Sequence, residues 1–97
     1  MGRGPRPRSK QIPGRRLLRQ WRDEQGISQA ELARRIGCDG SNIRHFEGGR
    51  SELSLALAIA VARETALPLA KLLPPDLVRQ IREAVSLLGP NGNGDPA

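Results

Sequence analysis

Little in this chain of 97 residues belongs to the usual machinery of catalysis or metal binding. Its one cysteine, Cys38, excludes an internal disulfide, and with a single histidine, His45, one chain cannot build a four-ligand zinc site. Aromatic side chains are nearly missing: Trp21 and Phe46 are present and there is no tyrosine. β-branched residues are sparse and no alternating apolar pattern is present, so strands are not expected. No apolar run reaches the length of a membrane span, and the richest stretch, Leu53 to Ala62, is far too short. The basic N-terminal residues are followed by no apolar block, so no secretory signal is expected. A soluble, cytoplasmic protein without a membrane partner is the expectation.

Acids are also missing from the first 22 residues. That stretch holds Arg3, Arg6, Arg8, Lys10, Arg15, Arg16, Arg19 and Arg22. Residues 23–97 carry eight basic and ten acidic side chains, so the net charge of +6 comes from the N-terminus. A basic arm of this kind suits a polyanion, nucleic acid above all, although a solvated tail would carry the same charge. Residues 1–14 are rich in Gly, Pro and Arg and are expected to be a disordered arm; 89–97, "GPNGNGDPA", is expected to be a disordered tail.

The remaining residues, about 15–88, read as helices throughout. Leu17, Leu18 and Trp21 share one side of a first helix, Arg15 to Gln25, which Gly26 ends. Ser28 starts a second, with Glu31 placed for a capping box, and Gly37 ends it. Asp39 is the expected cap of a third, which Gly48 and Gly49 close. Ser54 caps a fourth, Leu55 to about Thr65, and Pro68 opens a short fifth, Leu69 to Leu73. Pro75 suits the first turn of a sixth, Asp76 to Leu88, with Leu77, Val78, Ile81, Ala84, Val85 and Leu88 in one stripe.

A short glycine turn between two small amphipathic helices is the helix-turn-helix arrangement. Counted from Gln29, apolar residues are needed at the fourth, eighth, tenth, fifteenth and eighteenth positions, and Leu32, Ile36, Cys38, Ile43 and Phe46 stand there. Ala33 fills the small fifth position, where the helices cross, and Gly37 fills the ninth, where the chain reverses.

The segment "LRQWRDEQGISQAELARRIGCDGSNIRHFEGGR" resembles the lambda-repressor/Cro-like, or XRE, family of helix-turn-helix proteins. The resemblance runs from about Leu17 to Leu73 and implies an all-α, five-helix DNA-binding domain, to which this chain adds a C-terminal helix over 74–88. It also implies double-stranded DNA as partner and transcriptional repression as a dimer. Gln29 resembles the family's phosphate-binding glutamine and Arg50 its basic position after the recognition helix. The exposed positions of that helix are Gly40, Ser41, Asn42, Arg44 and His45, with family base reading chiefly at 40, 41 and 45. Glycine at 40 departs from the family's usual long side chain, leaving Ser41, Asn42, Arg44 and His45 as base-reading candidates. Arg to guanine is the commonest specific contact, and Arg44 could equally sit on a phosphate. Arg22 and Glu47 match an architectural ion pair. Arg15, Arg16, Lys10, Arg8 and Arg6 are expected on the phosphate backbone, with a minor-groove role for the arm as a lesser alternative.

The fourth helix is apolar nearly all round. Leu55, Ala58, Ile59 and Ala62 match the family's core face, whereas Ala56, Leu57 and Ala60 fall where polar residues are usual. The stripe of the sixth helix could cover them within one chain or across a homodimer, which is the favoured expectation. Two other function classes remain. One is an antitoxin or protein-binding adaptor on the same domain, with a toxin or regulator as partner. The other is an enzyme: Ser41 and His45 lie four apart with Asp39 nearby, but a lone surface helix offers no pocket or oxyanion donors. No catalytic residue and no cofactor are therefore expected.

Overall fold

The computed structural model describes residues 11–89, and these are all helical outside turns and connections. The helices are α1 (Gly14–Gln25), α2 (Gln29–Ile36), α3 (Gly40–Glu47), α4 (Leu55–Thr65), α5 (Leu69–Leu72) and α6 (Pro75–Leu87). No described helix is long and apolar enough to cross a membrane. The arm residues Arg3, Arg6, Arg8 and Lys10, and the tail from residue 90 on, lie outside the described residues.

One core forms where α1, α2, α3, α4 and α5 meet. Leu18, Leu32, Ile43, Phe46, Val61 and Leu72 are fully buried in it, with Ala33 and Ala58 at the close crossings. Full burial of each large side chain contributes about 1.5–3 kcal/mol. The helix-turn-helix positions behave as their spacing requires. Ile36 and Cys38 are half-buried against the core, and Gly37 takes φ 80°, a left-handed conformation that costs glycine nothing. The amides of Gly37 and Cys38 return to the carbonyls of Arg34 and Ala33, closing α2.

The caps depart from expectation in detail. Ser28 Oγ accepts from the Glu31 amide at 3.0 Å, the first half of a capping box. The second half is replaced, because the Glu31 carboxylate takes Arg34 and Arg35 instead, and these hold its carboxyl below the usual range. Asp39 stands at the N-cap of α3 with extended backbone, but its side chain makes no cap hydrogen bond. Ser54 caps α4 as expected, accepting from the Leu57 amide at 3.1 Å.

One boundary moves. Ile12, expected in the disordered arm, is buried in the core, and Gly14 begins α1 packed against α5. A single aliphatic residue among Gly, Pro and Arg left no periodic signal. The core face of α4 is also rotated from the expected one. Ala58, Val61 and Thr65 are buried with Leu57 and Ala62 beside them, while Leu55 is exposed. An apolar helix has no contrast between faces from which its orientation can be read.

α6 covers little of that outer α4 surface. Its first half packs beside α5, with Leu77, Val78 and Ile81 half-buried. Val85 and Leu88 of the stripe are 58% and 75% exposed and Leu87 beside them is 81% exposed, so the apolar end of α6 stands uncovered within one chain.

Candidate nucleic-acid interface

α3 is held on two sides and open on a third. Ile43 and Phe46 face the core. At its last turn Glu47 receives the Arg22 guanidinium through two 2.7 Å hydrogen bonds, Nε to Oε2 and Nη2 to Oε1. Arg22 Nη1 donates onward to the Ile27 carbonyl at 3.0 Å. The Arg22 and Glu47 side chains are only 11% and 4% exposed, so the pair is buried, and the hydrogen-bonded carboxylate holds Arg22 more firmly protonated. The architectural role implied by the family resemblance thus has its geometry here: the pair locks the end of α3 to α1.

Gln29 joins the same lock. Its side-chain amide donates to Glu47 Oε1 at 3.0 Å, tying the first turn of α2 to the end of α3. The amide oxygen is not used in that bond. The first amides of α2 lack intrahelical partners, as in any helix, and present donors and the positive dipole end beside it.

The open side of α3 gathers most of the base-reading candidates. Residues 40, 41, 44 and 45 fall on one helical face, opposite Ile43 and Phe46. Ser41 and His45 are half-buried and Arg44 is exposed, and among the described residues no partner occupies the Arg44 guanidinium. Asn42 is also exposed and lies at the edge of this face. At the turn the Cys38 thiol donates to the Asp39 carbonyl at 3.5 Å, and burial pushes that thiol up, with the neighbouring Asn42 side chain opposing.

Gly40 is not simply a missing tip. A β-carbon there would lie 3.4 Å from Ala30 Cα, so the position faces the start of α2. With alanine at 30 and glycine at 40, the α2–α3 crossing carries no long side chain at this edge.

The basic candidates divide. Arg16 and Arg50 are exposed, and the Arg50 amide returns to the His45 carbonyl at 2.8 Å, which sets the residue at the exit of α3. Arg15 has another task. Its Nη1 donates to the carbonyls of Phe46 and Ser51, the latter at 2.9 Å, and its guanidinium lies 5.0 Å from the Phe46 ring centre. Burial lowers its pKa, with the charge of Glu52 opposing. Arg15, expected on phosphate, thus commits one guanidinium nitrogen within the chain, to two carbonyls at and beyond the end of α3. Only the packed chain could reveal this, because the two carbonyls lie 31 and 36 residues away.

A family model described as helix-turn-helix matches residues 18–72. An uncharacterized HTH-type transcriptional regulator of Methanothermobacter thermautotrophicus is 45% identical over 49 residues, which cover 50% of this chain and 71% of that protein. Among solved structures, a hypothetical transcription factor from Neisseria, NHTF, has a similar fold. The match has a TM-score of 0.57 at 24% identity and covers 84% of this chain and 97% of that one.

Proposed function

The chain belongs to the XRE-type helix-turn-helix family of DNA-binding transcriptional regulators, a non-enzymatic class, and from that premise we propose that it is a sequence-specific repressor acting as a homodimer. α3 enters the major groove with Ser41, Arg44 and His45 toward base edges. Gln29, Arg16 and Arg50 lie on flanking phosphates, and Arg6, Arg8 and Lys10 of the arm add backbone charge. The observation that carries this reading is the open face of α3, with Arg44 unengaged, on a helix clamped at its far end by Arg22, Glu47 and Gln29. Rigid placement with free donors is what base reading requires.

The homodimer rests on the uncovered apolar residues. Leu55 on α4 and Val85, Leu87 and Leu88 on α6 are 44%, 58%, 81% and 75% exposed, and a second copy would bury them. Light scattering on the full chain tests this point, and a monomer at micromolar concentration defeats it.

Selection from random duplex DNA at near-physiological salt tests the whole reading. An enriched two-fold motif with half-sites about ten base pairs apart is expected. Bound DNA without enrichment would mean that the basic arm dominates, and the exposed end of α6 would then favour an adaptor or antitoxin with a protein partner.

A further inference from the structure

One groove takes no part in the proposed DNA contact. It lies between the start of α1, α5 and α6 and has a volume of about 470 Å³. Pro13, Leu73 and Val78 give it an apolar floor, and Lys71, Arg79 and Arg82 stand on its rim. Residues 23–97 are acidic overall, with eight bases against ten acids, yet three of those eight bases meet here. Asp76 pairs with Arg79 within its own helix turn at 2.8 Å, and among the described residues no ion pair engages Lys71 or Arg82.

We propose that this groove binds a short acidic segment of a partner protein, with an aliphatic side chain seated on Pro13, Leu73 and Val78 and carboxylates on Lys71, Arg79 and Arg82. The volume accommodates the anchoring side chains of an extended segment. Paired cations around an apolar seat reward an anchor that carries both properties, and each alone gains little.

Other occupants fit less well. A second copy applying the same groove would set three cations against three. The chain's own tail, residues 90–97, offers one carboxylate side chain, Asp95, and, beside Pro90 and Pro96, no branched aliphatic side chain. The arm is basic and repelled. Duplex DNA could neutralise the rim but has no use for the floor. The groove also lies on the other flank of α1 from α3. Gly14 abuts Lys71 and Leu72, whereas the next residue, Arg15, reaches Phe46 and Ser51.

The test uses isotopically labelled full-length protein and two synthetic peptides, one alternating Leu and Glu, the other Ser and Glu. The Leu/Glu peptide is expected to shift amide resonances of residues 70–82 and to bind about tenfold more tightly than the Ser/Glu peptide. Arg82→Glu, checked for an unchanged melting temperature, is expected to weaken it by about tenfold and to leave DNA affinity unchanged. Val78→Ser probes the floor independently and is expected to remove the preference for Leu. Shifts confined to the basic residues before α2, equal binding of both peptides, or no binding would overturn the proposal. So would a loss of DNA affinity in Arg82→Glu, which would make the rim a phosphate contact. Failure here leaves the DNA selection result untouched, so the two readings fall separately.

Discussion

A β-carbon on Gly14 would stand 2.5 Å from the Lys71 carbonyl oxygen and 2.9 Å from Leu72 Cα. The obstacle is backbone, so no rotamer change relieves it. Glycine lets α1 begin flush against α5, and this contact closes the core over Leu72 beside Pro13, which lines the basic-rimmed groove. Gly14→Ala is expected to destabilise the fold by about 1–3 kcal/mol, the usual range for overpacking. Thermal unfolding with urea titration checks it, and a stability equal to the parent would refute the close approach.

Gly40 is expected to behave in the opposite way. Its β-carbon would make ordinary contact with Ala30, and no positive φ is required there. Gly40→Ala is therefore expected to be neutral or to stabilise α3 by up to about 1 kcal/mol. Gly40→Gln is expected to fold as well and to sharpen sequence preference at one base pair per half-site, measured by repeating the duplex selection. An unchanged motif would mean that this edge of the α2–α3 crossing does not meet the bases.

The buried Arg22–Glu47 pair gives a third outcome. Removing one partner strands the other charge in the interior, so Arg22→Ala or Glu47→Ala is expected to cost about 3–5 kcal/mol. Replacing both by apolar residues of similar size is expected to cost much less than the sum of the single changes. A double-mutant cycle in urea measures this, and additive losses would mean that the two side chains act separately.

These contrasts explain what was legible in the sequence. The helix-turn-helix spacing from Leu32 to Phe46 was legible because each position obeys a local rule of period, crossing or turn. All six helices were legible because Gly, Ser and Pro mark their ends within a residue or two. Arg15 was not, because its partners are backbone carbonyls on a distant turn, and a sequence shows the charge of an arginine but not its acceptor. Asn42 lies at the edge of the exposed face, where the helical period alone does not assign a side. The α4 orientation was hidden because Leu, Ile, Val and Ala alternate without polar contrast.

The Arg15 geometry leads to a prediction that separates structure from DNA contact. Arg15→Ala leaves the Phe46 and Ser51 carbonyls without this donor and uncovers the Phe46 ring. It is expected to cost about 1–3 kcal/mol of stability. Below its melting temperature, the salt dependence of DNA binding is expected to keep its slope, since no phosphate contact is lost. Arg50→Ala is expected to do the reverse, holding stability and lowering the slope by about one. A reduced slope for Arg15→Ala would restore it to the phosphate contacts.

Cys38 makes stability depend on alkaline pH. Burial in the helix-turn-helix seam pushes its thiol up, the neighbouring Asn42 side chain opposes this, and the charge of Asp39 adds to it. The folded chain therefore holds the thiol proton more tightly than the unfolded chain, whose thiol titrates near about 8.5. The stability this contributes is complete below the unfolded value and is lost as pH rises through the folded one. Unfolding free energy is thus expected to fall on the alkaline side more steeply than in Cys38→Val, whose curve lacks this titration. Alkylation of the native thiol is expected to be slow at mildly alkaline pH and to accelerate on unfolding, because the reactive species is the thiolate. Equal alkaline slopes for the two proteins would mean that the thiol titrates alike in both states. The turn between α2 and α3 would then be open to water at the residue that joins them.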